Sequence, residues 1–269
     1  MASFDGTFFS LPLVVRKQVR VYSDLLPEFR LLSTGFEYTT ISYKIKSKPN
    51  STFNLEALST LLRLIKKKGP TSRKYEFDEL DVNDEQLGSR GFVPILDILK
   101  HPNCNLTKLS LRDNQISNIT GLGTLTQLEV LDLSLNQITN ITGLTALTKL
   151  EVLALRDNQI KIITGLGTLT QLKILDLSLN QITNIAGLAT LTELEALDLS
   201  LNQITNITGL AALTQLKQLD LIGNQINCIT VLSILTQLRE LDIRANEISF
   251  TVQMIESLNT ILLKCCIQF

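Results

Sequence analysis

From residue 106 to residue 248 the apolar and polar positions of the chain follow one 22-residue rule, written seven times. In the copy that begins at Leu128 the fixed apolar places are Leu128, Leu131, Leu133, Ile138, Ile141, Leu144 and Leu147, with mostly polar residues between them. Leu131 and Leu133 alternate about Asp132, so a short strand there turns one face to a core and the other away. Beyond the strand, apolar residues come at every third position, which suits a tight 3₁₀-like return. A single coil of this kind has an apolar side that it cannot bury alone. Stacked coils close a continuous core and bring their strands into a parallel sheet, so the period predicts a solenoid.

The polar member of the rule is an asparagine. Asn114, Asn136, Asn158, Asn180, Asn202, Asn224 and Asn246 stand at the same place in every copy. The chain turns inward there, leaving backbone groups that a buried carboxamide, donor and acceptor at once, can satisfy. Seven residues later come Gly121, Gly143, Gly165, Gly187 and Gly209, where the return path needs either a positive φ or a close backbone approach.

The run Leu172, Leu175, Leu177, Asn180, Ile182 resembles a leucine-rich repeat, and the tail Ile185, Leu188, Leu191 resembles its short 22-residue class. Bacterial internalins and the leucine-rich-repeat regulatory subunit of type 1 protein phosphatase share that class. The resemblance implies an α/β solenoid, a right-handed horseshoe with a parallel concave sheet, and a function in protein interaction. Ahead of the short copies, Phe77, Leu80 and Val82 take the strand places, Glu85 takes that of the asparagine, and Gly88, Gly91, Ile95, Leu96 and Leu99 follow. This longer unit resembles the ribonuclease-inhibitor type, whose return is a true helix.

Residues 1–75 are read as a partly helical N-terminal cap, and residues 76–269 as the solenoid: one long repeat, seven short ones and a C-terminal cap repeat. Residues 51–68 have a helical pattern, with Leu55, Leu58, Leu61, Leu62 and Ile65 on one face and Gly69-Pro70 as the stop. Leu11-Pro12 with Val15, Val19 and Tyr22 resembles the start of an F-box, which implies a substrate receptor of a ubiquitin ligase as an alternative function. At the other end Leu258, Ile261, Leu263 and Cys266 are assigned the Leu, Leu, Leu and Asn places of a last repeat. Cys266-Ile267-Gln268-Phe269 also matches the loose form of a prenylation box, so a lipid-anchored scaffold is a further alternative.

Charge alters this picture little. Residues 1–75 carry 13 Lys or Arg against 5 Asp or Glu, and residues 76–269 carry 12 against 21. The basic residues are dispersed, so no nucleic-acid partner is expected, and a membrane partner only through a lipidated Cys266. The chain has 4 cysteines without disulfide-framework spacing and one histidine, His101, without metal-ligand spacing or a nucleophile beside it. No cofactor, metal or catalytic residue is expected. The order of charges around residues 8–15 is wrong for a secretory signal, so a cytoplasmic protein, or one delivered to another cell, is expected.

The polar side of the sheet is where a partner is expected. Asp132, Asp176, Asp198, Asp220 and Asp242 form a column that suggests a calcium or acid/base array on paper and is read as a solvated polar strip. Val130, Val152, Ile174 and Ala196 precede it, and Leu135, Leu179 and Leu201 stand immediately before the asparagines; these apolar columns are expected to face outward. Arg112, Arg156 and Arg244 alternate there with Ser134, Ser178 and Ser200. An apolar stripe flanked by charges of both signs predicts a protein or peptide ligand, although no aromatic residue lies between Val93 and Ser249 to serve as an anchor.

Overall fold

The computed structural model describes residues 18–22, 41–46, 77–81, 88–100, 106–248 and 266–268. Seven three-residue strands stand where the Leu-x-Leu pattern puts them: β4 (Lys108–Ser110), β5 (Val130–Asp132), β6 (Val152–Ala154), β7 (Ile174–Asp176), β8 (Ala196–Asp198), β9 (Gln218–Asp220) and β10 (Glu240–Asp242). They are parallel and in exact repeat register, Leu131 opposite Leu153 and Leu153 opposite Leu175. The middle residue of each strand points into the core, where Leu131, Leu153, Leu175 and Leu197 are fully buried. Between strands the chain returns through six short 3₁₀ turns, from Leu122–Thr124 to Thr230–Ile234, as the apolar spacing predicts.

The described part of the long repeat forms as expected, while Val82 and Glu85 lie outside the described residues. Strand β3 (Phe77–Asp81) sets Leu80 opposite Leu109, and the return is a true helix, α1 (Gly88–Leu99), which buries Phe92, Ile95, Leu96 and Leu99. The whole forms one open sheet of 11 strands in sequence order.

Two features at the ends differ from expectation. At the N-terminal side the described residues are strands rather than helix: β1 (Gln18–Tyr22) pairs in parallel with β2 (Ile41–Lys46), which pairs with β3. Val19 and Tyr22 of the F-box-like pattern thus lie on a strand; Leu11, Pro12, Val15 and the helix expected over 51–68 fall outside the described residues. At the C-terminal side, β11 (Cys266–Gln268) places Cys266 opposite Glu240 and Ile267 opposite Leu241. Ile267, not Ile261, therefore takes the central strand place, and Cys266 is not in the asparagine column. The last unit is longer than 22 residues, and sequence spacing alone does not reveal which apolar residue meets Leu241.

The asparagine ladder performs the role its position implies. In repeat four, Asn180 Oδ1 accepts from Ile160 N at 3.0 Å, and its Nδ2 donates to Leu155 O, Leu177 O and Ser178 O at 2.9, 3.1 and 3.1 Å. One side chain thus joins its own turn to the previous coil, and the pattern repeats at Asn136, Asn158, Asn202, Asn224 and Asn246. Asn114 is fully buried at the head of the ladder. None of the glycines seven residues beyond the asparagines has a positive φ, and three of them serve close backbone approach: a Cβ on Gly143 would lie 2.5 Å from Ile119 O, one on Gly187 2.9 Å from Ile163 O and one on Gly209 2.7 Å from Ile185 O.

Candidate binding face

Strand alternation sends the first and third residues of β5–β10 to the face opposite the core. That face carries the residues expected to meet a partner, yet most are less accessible than their polarity suggests. Asp176, Asp198, Asp220 and Asp242 are only 6%, 9%, 6% and 2% exposed, so the column is not a solvated strip. Each carboxylate folds over the end of its strand and accepts the amide two residues on: Ser178 N at 2.9 Å, Ser200 N at 2.8 Å, Ile222 N at 2.9 Å and Arg244 N at 3.1 Å. Asp132 does the same for Ser134 N and is half-buried. An aspartate that satisfies its own turn stays close to the backbone.

Stacking these carboxylates has an electrostatic cost. Asp176 and Asp198 are held above the usual carboxylate range chiefly by burial. Asp220 is pushed up to about 7, by burial first and then by the neighbouring Asp198 and Asp242 against the amide of Ile222. The charge of Arg156 opposes the rise at Asp198 and that of Arg244 the rise at Asp220, but among the described residues the arginine hydrogen bonds reach the column toward its ends. Arg244 Nε donates to both Asp242 oxygens at 3.0 and 3.1 Å, while Arg156 Nη1 donates to Ser178 Oγ at 2.9 Å and that hydroxyl donates to Asp176 Oδ1 at 2.6 Å. Arg112, in the first short repeat, is half-buried.

The apolar columns divide. Val130 and Ile174 are half-buried, but Val152 and Ala196 are 8% and 5% exposed, packed in the sheet surface rather than projecting from it. The column ahead of the asparagines is different. Asp113, Leu135, Asp157, Leu179, Leu201, Gly223 and Ala245 all have φ between 53° and 67°. A left-handed residue directs the chain out of the strand and inward at the asparagine, and it holds its own side chain away from the core. Leu135 and Leu179 are half-buried and Leu201 is 48% exposed. Glycine at 223 and aspartate at 113 and 157 signal this conformation in the sequence; leucine at the same place conceals it.

A sequence-family model described as leucine-rich repeats in two copies matches residues 104–146, 148–190 and 192–234. Among solved structures, internalin C2 from Listeria monocytogenes is 31% identical, with 79% of this chain and 92% of that one aligned at a TM-score of 0.65. An internalin F from the same organism is 28% identical over 76% and 66% of the two chains, at a TM-score of 0.54. A leucine-rich-repeat protein of Leptospira interrogans is 25% identical over 85% of this chain and 53% of its own, at a TM-score of 0.58. Comparison with curated proteins gives no match. The repeat register, the asparagine ladder and an identity of 31% across nearly all of an internalin make this chain a member of the leucine-rich-repeat family, similar to the internalins.

Proposed function

We propose that the chain is a non-catalytic interaction module whose sheet face, concave in this family, binds a protein or peptide. Leucine-rich-repeat proteins as a class mediate protein–protein interaction, which gives the general reading. The observation that carries the finer one is the column Leu135, Leu179, Leu201, where three leucines occupy left-handed backbone that favours other residues. Folding gains little from a leucine there, because the core is on the other side; a ligand that covers Leu179 and Leu201 gains apolar contact. The chemistry-bearing groups of the same face are already in use, since each aspartate from Asp176 to Asp242 accepts a backbone amide, which favours binding over catalysis.

The test is affinity capture from cell extract with the native chain and with Leu179→Glu/Leu201→Glu. The double variant is expected to keep its thermal transition and to lose the captured partner. A partner that stays bound to it would place the interface elsewhere.

A further inference from the structure

The face contains its own example of a guanidinium resting on the aspartate column. Asp242 is 2% exposed, yet Arg244, standing two residues later with a side chain 46% exposed, lies across both of its oxygens. The equivalent place in repeat three holds Arg156, which serves Asp176 through Ser178. Between these ends Asp198 and Asp220 sit directly opposite each other on β8 and β9. The places that would supply their arginines are Ser200 and Ile222, and among the described residues no Lys or Arg forms a direct ion pair with either carboxylate, the charges of Arg156 and Arg244 acting on them only from the neighbouring coils. Beside them Leu201 is exposed and leans over Gly223, whose missing Cβ would lie 2.7 Å from Leu201 Cδ2.

We propose that Asp198 and Asp220 receive an arginine side chain of the partner protein, which caps the two carboxylates as Arg244 caps Asp242 and lays its methylene stem along Leu201. This deepens the concave-face reading and rests on it. Strand spacing keeps the two side chains about 5 Å apart, a gap that a planar guanidinium with five donors can bridge. An ammonium offers a compact point charge and no fork. The apolar stem matches Leu201, and a residue of this kind in the partner would offset the absence of aromatic anchors on this face.

The probe is a capped peptide with one arginine between two leucines, titrated into the full chain and followed by the amide resonances of Ser200 and Ile222, the donors to Asp198 and Asp220. Those resonances are expected to shift, and the citrulline counterpart, equal in shape but uncharged, should bind roughly tenfold or more weakly. Ile222→Arg copies the arrangement of repeat seven into repeat six, so the protein then fills the site itself and the peptide should no longer bind. Asp198→Asn/Asp220→Asn keeps the amide acceptors and should lose the charge-dependent part. No binding of the arginine peptide, or equal binding of citrulline, overturns the proposal. Binding lost in Leu201→Glu but kept in both other variants overturns the arginine site while the concave-face reading stands; binding kept in all three overturns both.

Discussion

Asn158 Oδ1 accepts the amide hydrogen of Ile138, twenty residues earlier, at 2.9 Å, while its Nδ2 donates to Leu133 O of that same earlier coil at 3.0 Å. A donor and an acceptor on one planar group therefore clamp two points of the neighbouring repeat. Because the coils touch only their neighbours, this clamp and the shared leucine core are what make the array cooperative.

Asn180→Ala should lower stability by about 1–3 kcal/mol, since it leaves Ile160 N and Leu155 O buried without their partner. Asn180→Asp should fare no better: the carboxylate can accept from Ile160 N but cannot donate to the three carbonyls that surround it. Urea denaturation midpoints check both, and a midpoint equal to the native one in either variant would show the clamp to be dispensable.

The periodicity, the asparagine column, the strand and return of each short coil, and the helix of the long repeat were all legible in the sequence, because each follows from an apolar spacing that only one stacking satisfies. The aspartates were not. A charged residue on the side of a strand away from the core normally meets water, and nothing in the spacing reveals that Asp198 turns back to the amide of Ser200. The conformation at Leu179 and Leu201 was hidden for a related reason, since leucine carries no mark of positive φ and only Gly223 and the two aspartates of that column hint at it. Past residue 248 the period stops, and with it the means of choosing between Ile261 and Ile267.

The left-handed column gives a coupled prediction. Gly223→Ala puts a Cβ at φ 67° and 2.7 Å from Leu201 Cδ2, so it should destabilise by about 1–2 kcal/mol from the backbone conformation alone, plus the displacement of Leu201. Adding Leu201→Ala should recover the second part and leave the first. A double-mutant cycle with no coupling between the two positions would show that Leu201 does not lean on Gly223 in solution.

Asp220 sets the pH dependence. Its folded pKa of about 7 lies above the ordinary 3.8, so between those values the folded state holds a proton that the unfolded state has released. Stability contributed by this group is greatest at the acid end, falls as pH rises through that window by at most about 1.4 kcal/mol per pH unit, and is level above it. The raised Asp176 and Asp198 act in the same direction. Asp220→Asn keeps an acceptor for Ile222 N and removes the titration. Its stability relative to the native chain should therefore rise from about pH 5 to about pH 8; a constant difference across that range would contradict the assignment.

The repeated glycines do not share one role, and alanine substitution separates them. At Gly143 a Cβ would meet Ile119 O at 2.5 Å, with the carbonyl carbon and Thr120 Cα close behind. Those are backbone atoms of the preceding coil and cannot swing aside, so Gly143→Ala should cost about 1–3 kcal/mol as the two coils are forced apart. At Gly165, one coil further on, the nearest atom is Thr145 Cγ2 at 3.5 Å, an ordinary contact, and φ is not positive. Gly165→Ala should therefore be neutral or stabilise by up to about 1 kcal/mol, because it restricts the unfolded chain without straining the folded one. Thermal or urea unfolding of the two variants side by side decides the matter. Equal effects would mean that the coils are evenly spaced at both places and that glycine recurs there only because the repeat was copied.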